Sequence, residues 1–271
     1  MDADGLPTAL ELDLAPALAR RDLYVFISLV GMPAAASAVR ALAHSEFQDR
    51  VHAAVDLVRC DPLFQPARLG PGEVHPTCLA CDALFEPVPA SLTDEYAAVF
   101  GPGLVSDCVP YETEYCPSRD VTYRSQQMAD VAGFYRAFGL KRSESAKERV
   151  DHVSLEAEFM SVLISREMHA MTEGLGQEKI QVCREAQQTF FRDHLGWWLP
   201  AFGVTLERQS RSRFYAVFGN FLCGFTPAER AVLDLGPFEE FVRPLQNAST
   251  AGVDDACCQQ CLVPLMGPPG D

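Results

Sequence analysis

Helical spacing of apolar residues constrains the fold of this chain more than any other feature of its sequence. Within residues 128–138, apolar side chains recur at intervals of three and four positions, which places them on one face of an α-helix. Residues 155–164 repeat this pattern, whereas the alternation typical of β-strands does not recur along the chain. We therefore predict an all-α fold.

Several further segments combine helical spacing with helix-boundary residues. Helices are predicted at residues 16–30, 34–43, 46–59, 92–100, 177–194, 211–221 and 227–233. The last of these has a start signal in the sequence TPAE, because Thr226 can cap a helix and Pro227 suits its first position.

Length and composition bound the domain organisation. With 271 residues, of which 48% are apolar, the chain can bury a substantial core in one large domain or two small ones. Proline and glycine concentrate in a central loop at about residues 61–90, and residues 247–271 show little periodicity. We predict one helical bundle over residues 1–246, followed by a cysteine-containing tail at 247–271.

Charge limits the classes of partner. The chain has 22 lysines and arginines against 37 aspartates and glutamates, which gives a net charge of −15. This excess repels phosphate backbones and anionic lipids, so we expect no nucleic-acid partner and no membrane insertion. A basic peptide or basic protein segment would instead be attracted.

An arginine pair followed by an apolar run, RRDLYVFISLV, looks at first like an export signal. Such a signal begins with a basic segment, whereas residues 1–19 contain four acidic residues and no lysine or arginine. The run is also interrupted by Gly31 and Pro33, and a membrane-spanning helix needs about 20 apolar residues. We therefore predict a core helix here and a cytoplasmic protein.

Common enzyme motifs are missing from the sequence. It contains no G-x-S-x-G, no H-E-x-x-H and no Walker A loop, so we predict a protein that is not an enzyme. Polar groups instead cluster at predicted boundaries between loops and helices, at residues 110–115, 126–139 and 148–160.

Asp151 stands at one such boundary. It is placed to cap a helix that begins near His152, and it either caps alone or also contacts a ligand. On that helix Glu156 and Glu158 fall about 200° apart, so they cannot act as one carboxylate pair.

Four sequences, taken in order, resemble a known family. They are YETEY at 111–115, QQMADVAGFYRAFG at 126–139, ERVDHVSLEAEFM at 148–160 and FFRDHLGWWLPAFG at 190–203. On these sequences the chain, from about residue 15 to residue 242, resembles the TorD/DmsD/NarJ family of redox-enzyme maturation chaperones.

This resemblance implies a TorD-like helical bundle that acts by binding and requires no cofactor of its own. Such chaperones bind the twin-arginine signal or N-terminal segment of an apo catalytic subunit, in a molybdenum enzyme of the dimethyl sulfoxide reductase type. They hold the subunit back from export until its molybdenum cofactor is inserted. The implied partners are that subunit, its signal peptide and proteins of molybdenum cofactor biosynthesis.

The resemblance also implies the residues of a client-binding site. Carried over position by position, they are Tyr111, Glu112, Gly133, Tyr135, Glu148, Asp151 and His152. This chain has Arg149 where many members have proline after the glutamate. For Tyr135 and Phe138, helical spacing by itself favours the core over a binding groove.

Ten cysteines allow a different interpretation. Two C-x-x-C pairs, Cys78 with Cys81 and Cys258 with Cys261, could together hold zinc or an iron–sulfur cluster in a regulatory or redox protein. However, 176 residues separate the two pairs, far more than in a compact zinc knuckle. The other interpretation is that they are reduced thiols of a cytoplasmic protein.

Overall fold

The computed structural model describes residues 9–33, 36–79, 91–101, 108–118, 120–141, 148–210 and 212–238. Its helices are α1 (Ala9–Gly31), α2 (Ala36–Leu42), α3 (Ser45–Cys60), α4 (Leu92–Phe100), α5 (Val121–Ala137), α6 (Val153–Thr172), α7 (Gln177–Phe190), α8 (Gly196–Gln209) and α9 (Arg213–Val232). These residues contain no β-strand, only one isolated bridge, and the predicted all-α fold is confirmed. None of the described helices is long and apolar enough to cross a membrane.

Helix α1 is the core helix that the arginine pair and its apolar run predict. Leu23, Tyr24 and Ile27 have no exposed surface, and α1 packs against α6. The helix begins at Ala9 rather than at residue 16, so that Pro16 lies inside it. Proline removes one backbone hydrogen bond from a helix interior, and burial of the apolar stripe outweighs that loss.

One cluster of buried apolar side chains draws on every helix from α1 to α9. Helices α8 and α9 pack at close range within it, because a Cβ atom on Gly203 would lie only 2.6 Å from the carbonyl oxygen of Gly219. This packing fixes α8, whose first turn carries Trp197 and Trp198.

A π-helical turn, Phe191–Leu195, joins α7 to α8. The helix predicted at residues 177–194 therefore continues beyond its predicted end, into a helix that periodicity alone did not identify. Such turns are rare and occur frequently at functional sites. This one places His194 in the interior, with no exposed surface.

Helix α9 corrects the prediction that a separate helix starts at the sequence TPAE. It runs unbroken through this sequence, and the hydroxyl of Thr226 donates back to the carbonyl of Leu222 at 2.9 Å instead of capping. Pro227 has no N–H to offer the carbonyl four residues earlier, that of Cys223. The backbone N–H of Val74 donates to that carbonyl at 3.0 Å, so the helix continues with no unpaired acceptor at this carbonyl.

The described part of the central loop is thus packed against α9. Glu73 accepts two hydrogen bonds from Arg230, and both side chains are almost fully buried. The loop also forms short 3₁₀ turns at Pro62–Phe64 and Pro76–Cys78. Residues 80–90 and the predicted tail at 247–271 lie outside the described residues.

Candidate functional site

Two loop segments, residues 110–115 and 148–153, lie side by side at the start of α6; we call them the junction. Tyr111 and His152 form an antiparallel bridge. The N–H of Glu112 donates to the carbonyl of Asp151 at 2.9 Å, and the N–H of Val153 donates to that of Pro110 at 3.0 Å.

The N-cap of α6 is His152, not Asp151, which corrects the predicted cap by one residue. His152 has extended backbone geometry, and its Nδ1 accepts from the N–H of Ser154 at 3.2 Å. Burial lowers the pKa of His152 to about 4, although Glu148 and Asp151 oppose this shift, so the ring is neutral at pH 7.

Asp151 is drawn away from the cap position by partners across the junction. Its carboxylate has no exposed surface and accepts from both the backbone N–H and the hydroxyl of Thr113, at 3.1 and 2.8 Å. Arg149 donates to both carboxylate oxygens, at 3.0 and 2.6 Å. A fully buried carboxylate requires such compensation, because an unpaired buried charge is strongly destabilising.

Arg149 links this buried carboxylate to the surface. It also donates to Glu114 at 3.0 Å, its guanidinium carbon lies 4.4 Å from the centre of the Tyr111 ring, and its side chain is 39% exposed. Burial would lower the pKa of Arg149, but the bonds to Asp151 and Glu114 outweigh it and raise that pKa. In the sequence, Arg149 stands out only as a departure from the family pattern, and nothing there indicates this role.

Glu148 and Tyr111 form the outer edge of the junction. The Tyr111 hydroxyl donates to Glu148 at 2.5 Å, and burial together with this bond raises the pKa of the hydroxyl. The Nε2 atom of His152 lies 3.8 Å from the same carboxylate and has no hydrogen-bond partner among the described residues.

Two buried carboxylates form the inner side of the site. Glu112 lies 3.2 Å from His194 Nδ1 and accepts from the Trp197 indole N–H at 3.2 Å, while Glu156 accepts from that of Trp198 at 3.2 Å. Burial raises the pKa of Glu112, although the hydrogen bond with His194 opposes this shift. Burial also raises the pKa of Glu156, and the nearby charge of Glu112 adds to that shift.

Glu158 is exposed while Glu156 is buried, which confirms that these two side chains lie on different faces of α6. The sequence did not single out five further residues of the site, which are Thr113, Glu114, His194, Trp197 and Trp198. The first two lie in the sequence YETEY and the last three in FFRDHLGWWLPAFG, and both sequences carried part of the family resemblance.

Helix α5 carries the last two predicted site residues. Tyr135 lies in the core against Phe159, with ring centres 4.9 Å apart, and its hydroxyl donates to the carbonyl of Val150 at 2.9 Å. Gly133 lies three positions after Asp130, whose carboxylate is 3.4 Å from His194 Nε2. A Cβ atom on Gly133 would meet nothing within 4 Å, so space is open above this part of α5.

Five predicted residues therefore meet in the junction, namely Tyr111, Glu112, Glu148, Asp151 and His152. Tyr135 reaches it through its hydroxyl, and no described contact joins Gly133 to it. No group of three or more metal-ligating side chains is assembled within the described part of the chain. Of the two C-x-x-C pairs only Cys78 is described, as an exposed free thiol, and Cys81, Cys258 and Cys261 lie outside the described residues.

Known proteins include relatives of this chain. A family model described as nitrate reductase delta subunit matches residues 79–203. The selenate reductase assembly chaperone protein of Thauera selenatis is 31% identical over 144 residues, which are 53% of this chain and 70% of that protein. The chain belongs to the TorD/DmsD/NarJ family.

Two further relatives agree with this membership. Chaperone protein TorD of Photobacterium profundum is 25% identical over 142 residues, 52% of this chain and 63% of the relative. The chlorate reductase assembly chaperone protein of Ideonella dechloratans is 29% identical over 130 residues, 48% of this chain and 63% of the relative. Each of these two matches thus spans less than two thirds of either protein. No solved structure matches the chain significantly.

The segment matched by the family model contains both halves of the junction. It also contains the π-helical turn and the two tryptophans that contact the buried glutamates. The family resemblance and the polar site therefore coincide in the same part of the chain.

Proposed function

We propose that this protein is a cytoplasmic maturation chaperone for the catalytic subunit of a molybdenum reductase of the dimethyl sulfoxide reductase type. It binds the twin-arginine signal or N-terminal segment of the apo subunit at the junction and assists cofactor insertion before export. The observation that carries this proposal is the convergence of five sequence-predicted site residues on one loop pair, around a buried aspartate.

The names of the relatives support the client class. They are assembly chaperones of selenate and chlorate reductases and a TorD chaperone, and we extend that role to this chain. The protein acts by binding rather than by catalysis, and proteins of molybdenum cofactor biosynthesis are its further partners.

The charge at the junction supports a basic client. Glu114 and Glu148 are partly exposed at its edge, with 28% and 25% of their side chains accessible, and Asp130 on α5 is 63% exposed. A twin-arginine segment presents two guanidinium groups, which form strong charge-assisted hydrogen bonds with carboxylates. The overall charge of −15 also accelerates the approach of a cationic segment.

Asp151 and His152 support the binding surface from the interior and do not make the first contact with the client. Both are fully buried, so they hold Arg149 and Tyr111 in place and become available to a client only if the outer contacts open. We accordingly assign first contact with the client to Glu148, Glu114 and Tyr111.

The experiment is a calorimetric titration with a synthetic peptide that carries the twin-arginine signal of a reductase of the dimethyl sulfoxide reductase type. Glu148→Gln keeps an acceptor for Tyr111 but removes the charge, and it should weaken binding several-fold. Glu46→Gln is the matched control, since Glu46 is a 76% exposed acid on α3. Equal affinity in all three proteins, with unchanged cofactor content of the client in cells, would refute the assignment.

A further inference from the structure

We propose that Asp151, Glu114, Thr113 and the ring of Tyr111 form a guanidinium-binding site, which Arg149 occupies until an arginine of the client replaces it. This proposal rests on the proposed function and adds its regulation: the protein's own side chain competes with the client for one site. We call these four residues the guanidinium cage.

The geometry of the cage suits a planar guanidinium. Arg149 uses Nε and Nη2 on the two oxygens of Asp151, at 3.0 and 2.6 Å, and Nη1 on Glu114 at 3.0 Å. Tyr111 lies against the group, with 4.4 Å from the guanidinium carbon to the ring centre. An ammonium ion lacks both the fork of donors and the flat face, so the cage distinguishes arginine from lysine.

The cage does not depend on Arg149 alone for its shape. Thr113 holds the carboxylate of Asp151 with its N–H and its hydroxyl, at 3.1 and 2.8 Å, and both residues are fully buried. Glu114 is held by a second arginine, Arg124 of α5. Cage walls fixed in this way can receive a guanidinium from another chain.

Arg149 can leave the cage without disturbing a helix. It belongs to the non-helical segment before α6, and its side chain is 39% exposed. Exchange of one guanidinium for another leaves the charge of the cage unchanged, so the buried carboxylate of Asp151 is paired with a cation both before and after the exchange.

A second observation points to an incoming peptide. His152 Nε2 is fully buried, has no hydrogen-bond partner among the described residues, and belongs to a ring whose centre is 5.0 Å from that of Tyr111. A buried donor without an acceptor is unfavourable. A backbone carbonyl that arrives with the client arginine would supply that acceptor.

The first test uses Arg149→Ala and a free guanidinium. Millimolar ethylguanidinium should raise the Tm of this variant by about 2–4 °C, while ethylammonium should not, and the wild type should not respond because its cage is filled. Arg124→Ala is the matched control: it removes another cation bound to Glu114 but leaves the cage occupied, so it should not respond either. An equal response to both cations, or none to ethylguanidinium, would overturn the proposal.

The second test measures peptide affinity. It uses Arg149→Lys, so it can be carried out even if Arg149→Ala fails to fold. Arg149→Lys keeps the positive charge but cannot fill the cage, so it should bind the twin-arginine peptide about tenfold more tightly than the wild type does. A twin-lysine peptide should bind to Arg149→Lys no more tightly than to the wild type. Weaker binding by Arg149→Lys would show that Arg149 only supports the loop. No binding by wild type and variant alike would refute the proposed function, while the ethylguanidinium result would stand independently.

Discussion

Two arginine–carboxylate networks in this protein use the same chemical groups in different settings. In the first, which we call the helix network, Arg20 of α1 donates to Glu229 of α9 at 2.8 and 2.6 Å and to Gln187 of α7 at 2.7 Å. Gln187 in turn donates to Glu167 of α6 at 2.7 Å. The second is the guanidinium cage around Arg149.

The difference lies in exposure and in the backbone that carries the cation. Arg20 sits inside a long helix with a side chain only 5% exposed, whereas Arg149 precedes a helix and is 39% exposed. Burial would lower the pKa of Arg20, but Glu229 outweighs it and raises that pKa, as Asp151 does for Arg149. The same chemistry holds helices together in one place, and in the other we propose that it takes part in recognition.

The largest effect is expected in the helix network. Arg20→Ala leaves Glu229 buried without its cation, which should lower the free energy of unfolding by about 3–5 kcal/mol. The neighbouring Arg21→Ala is the control: Arg21 is 30% exposed and Asp22 keeps Arg50 at 3.3 Å, so the loss should stay below about 1 kcal/mol. Chemical denaturation measures both, and equal losses would contradict the structural role of Arg20.

Asp151→Asn removes a buried negative charge from the junction. Asparagine caps a helix as well as aspartate, so a pure cap would show almost no change. Because Asp151 instead accepts from Arg149 and Thr113, we expect a loss of about 1.5–3 kcal/mol in the free energy of unfolding and at least tenfold weaker binding of the twin-arginine peptide. Asp56→Asn, an exposed acid on α3, is the control for both measurements. If Asp151→Asn has the stability and the peptide affinity of the wild type, Asp151 has no role in binding and the junction does not differ from the helix network in this way.

Acid sensitivity should be a property of the junction. The pKa of His152 is about 4 in the folded protein against an ordinary 6.5, so the unfolded chain binds the proton more readily. Its contribution to stability is fully present above pH 6.5 and is lost as pH falls through 4. His152→Asn retains a capping side chain and should reduce the loss of stability between about pH 7 and pH 4.5.

A second histidine provides the control for this pH experiment. His44 occupies the N-cap of α3 but makes no capping hydrogen bond through its side chain, and it is exposed. His44→Asn should therefore lose as much stability over the same pH range as the wild type does. Identical pH profiles for all three proteins would show that burial of His152 has no energetic consequence.

Salt should affect the two networks differently, although only modestly. Binding of the twin-arginine peptide to the exposed edge of the junction should weaken several-fold between about 50 mM and 500 mM salt. The stability difference between Arg20→Ala and the wild type should hardly change, because buried pairs are little screened. A salt-independent peptide affinity would leave apolar contacts as the source of binding.

The sequence predicted those parts of the fold that depend on local spacing. The apolar stripes of α1 and α6 follow from periodicity, and the place of RRDLYVFISLV in the core follows from its interruptions and its acidic flank. The residues of the junction came from the family resemblance, since at Asp151 the sequence by itself predicted a helix cap and left a ligand contact open.

What the sequence could not predict depends on partners far along the chain. Arg20 and Glu229 are 209 positions apart. Asp151 loses the cap position to His152 because Thr113, 38 positions earlier, binds its carboxylate. Helix α9 passes through Pro227 because Val74 occupies the carbonyl that proline leaves free. No local sequence pattern predicts these contacts.

Hydrogen exchange of the backbone amides, with and without the twin-arginine peptide, tests most directly whether the junction is the binding site. We predict that bound peptide changes protection in residues 108–118 and 148–156, while the amides of α1 and α9 around Arg20 and Glu229 exchange as before. Protection that appears elsewhere on the protein, with the junction unchanged, would contradict this assignment.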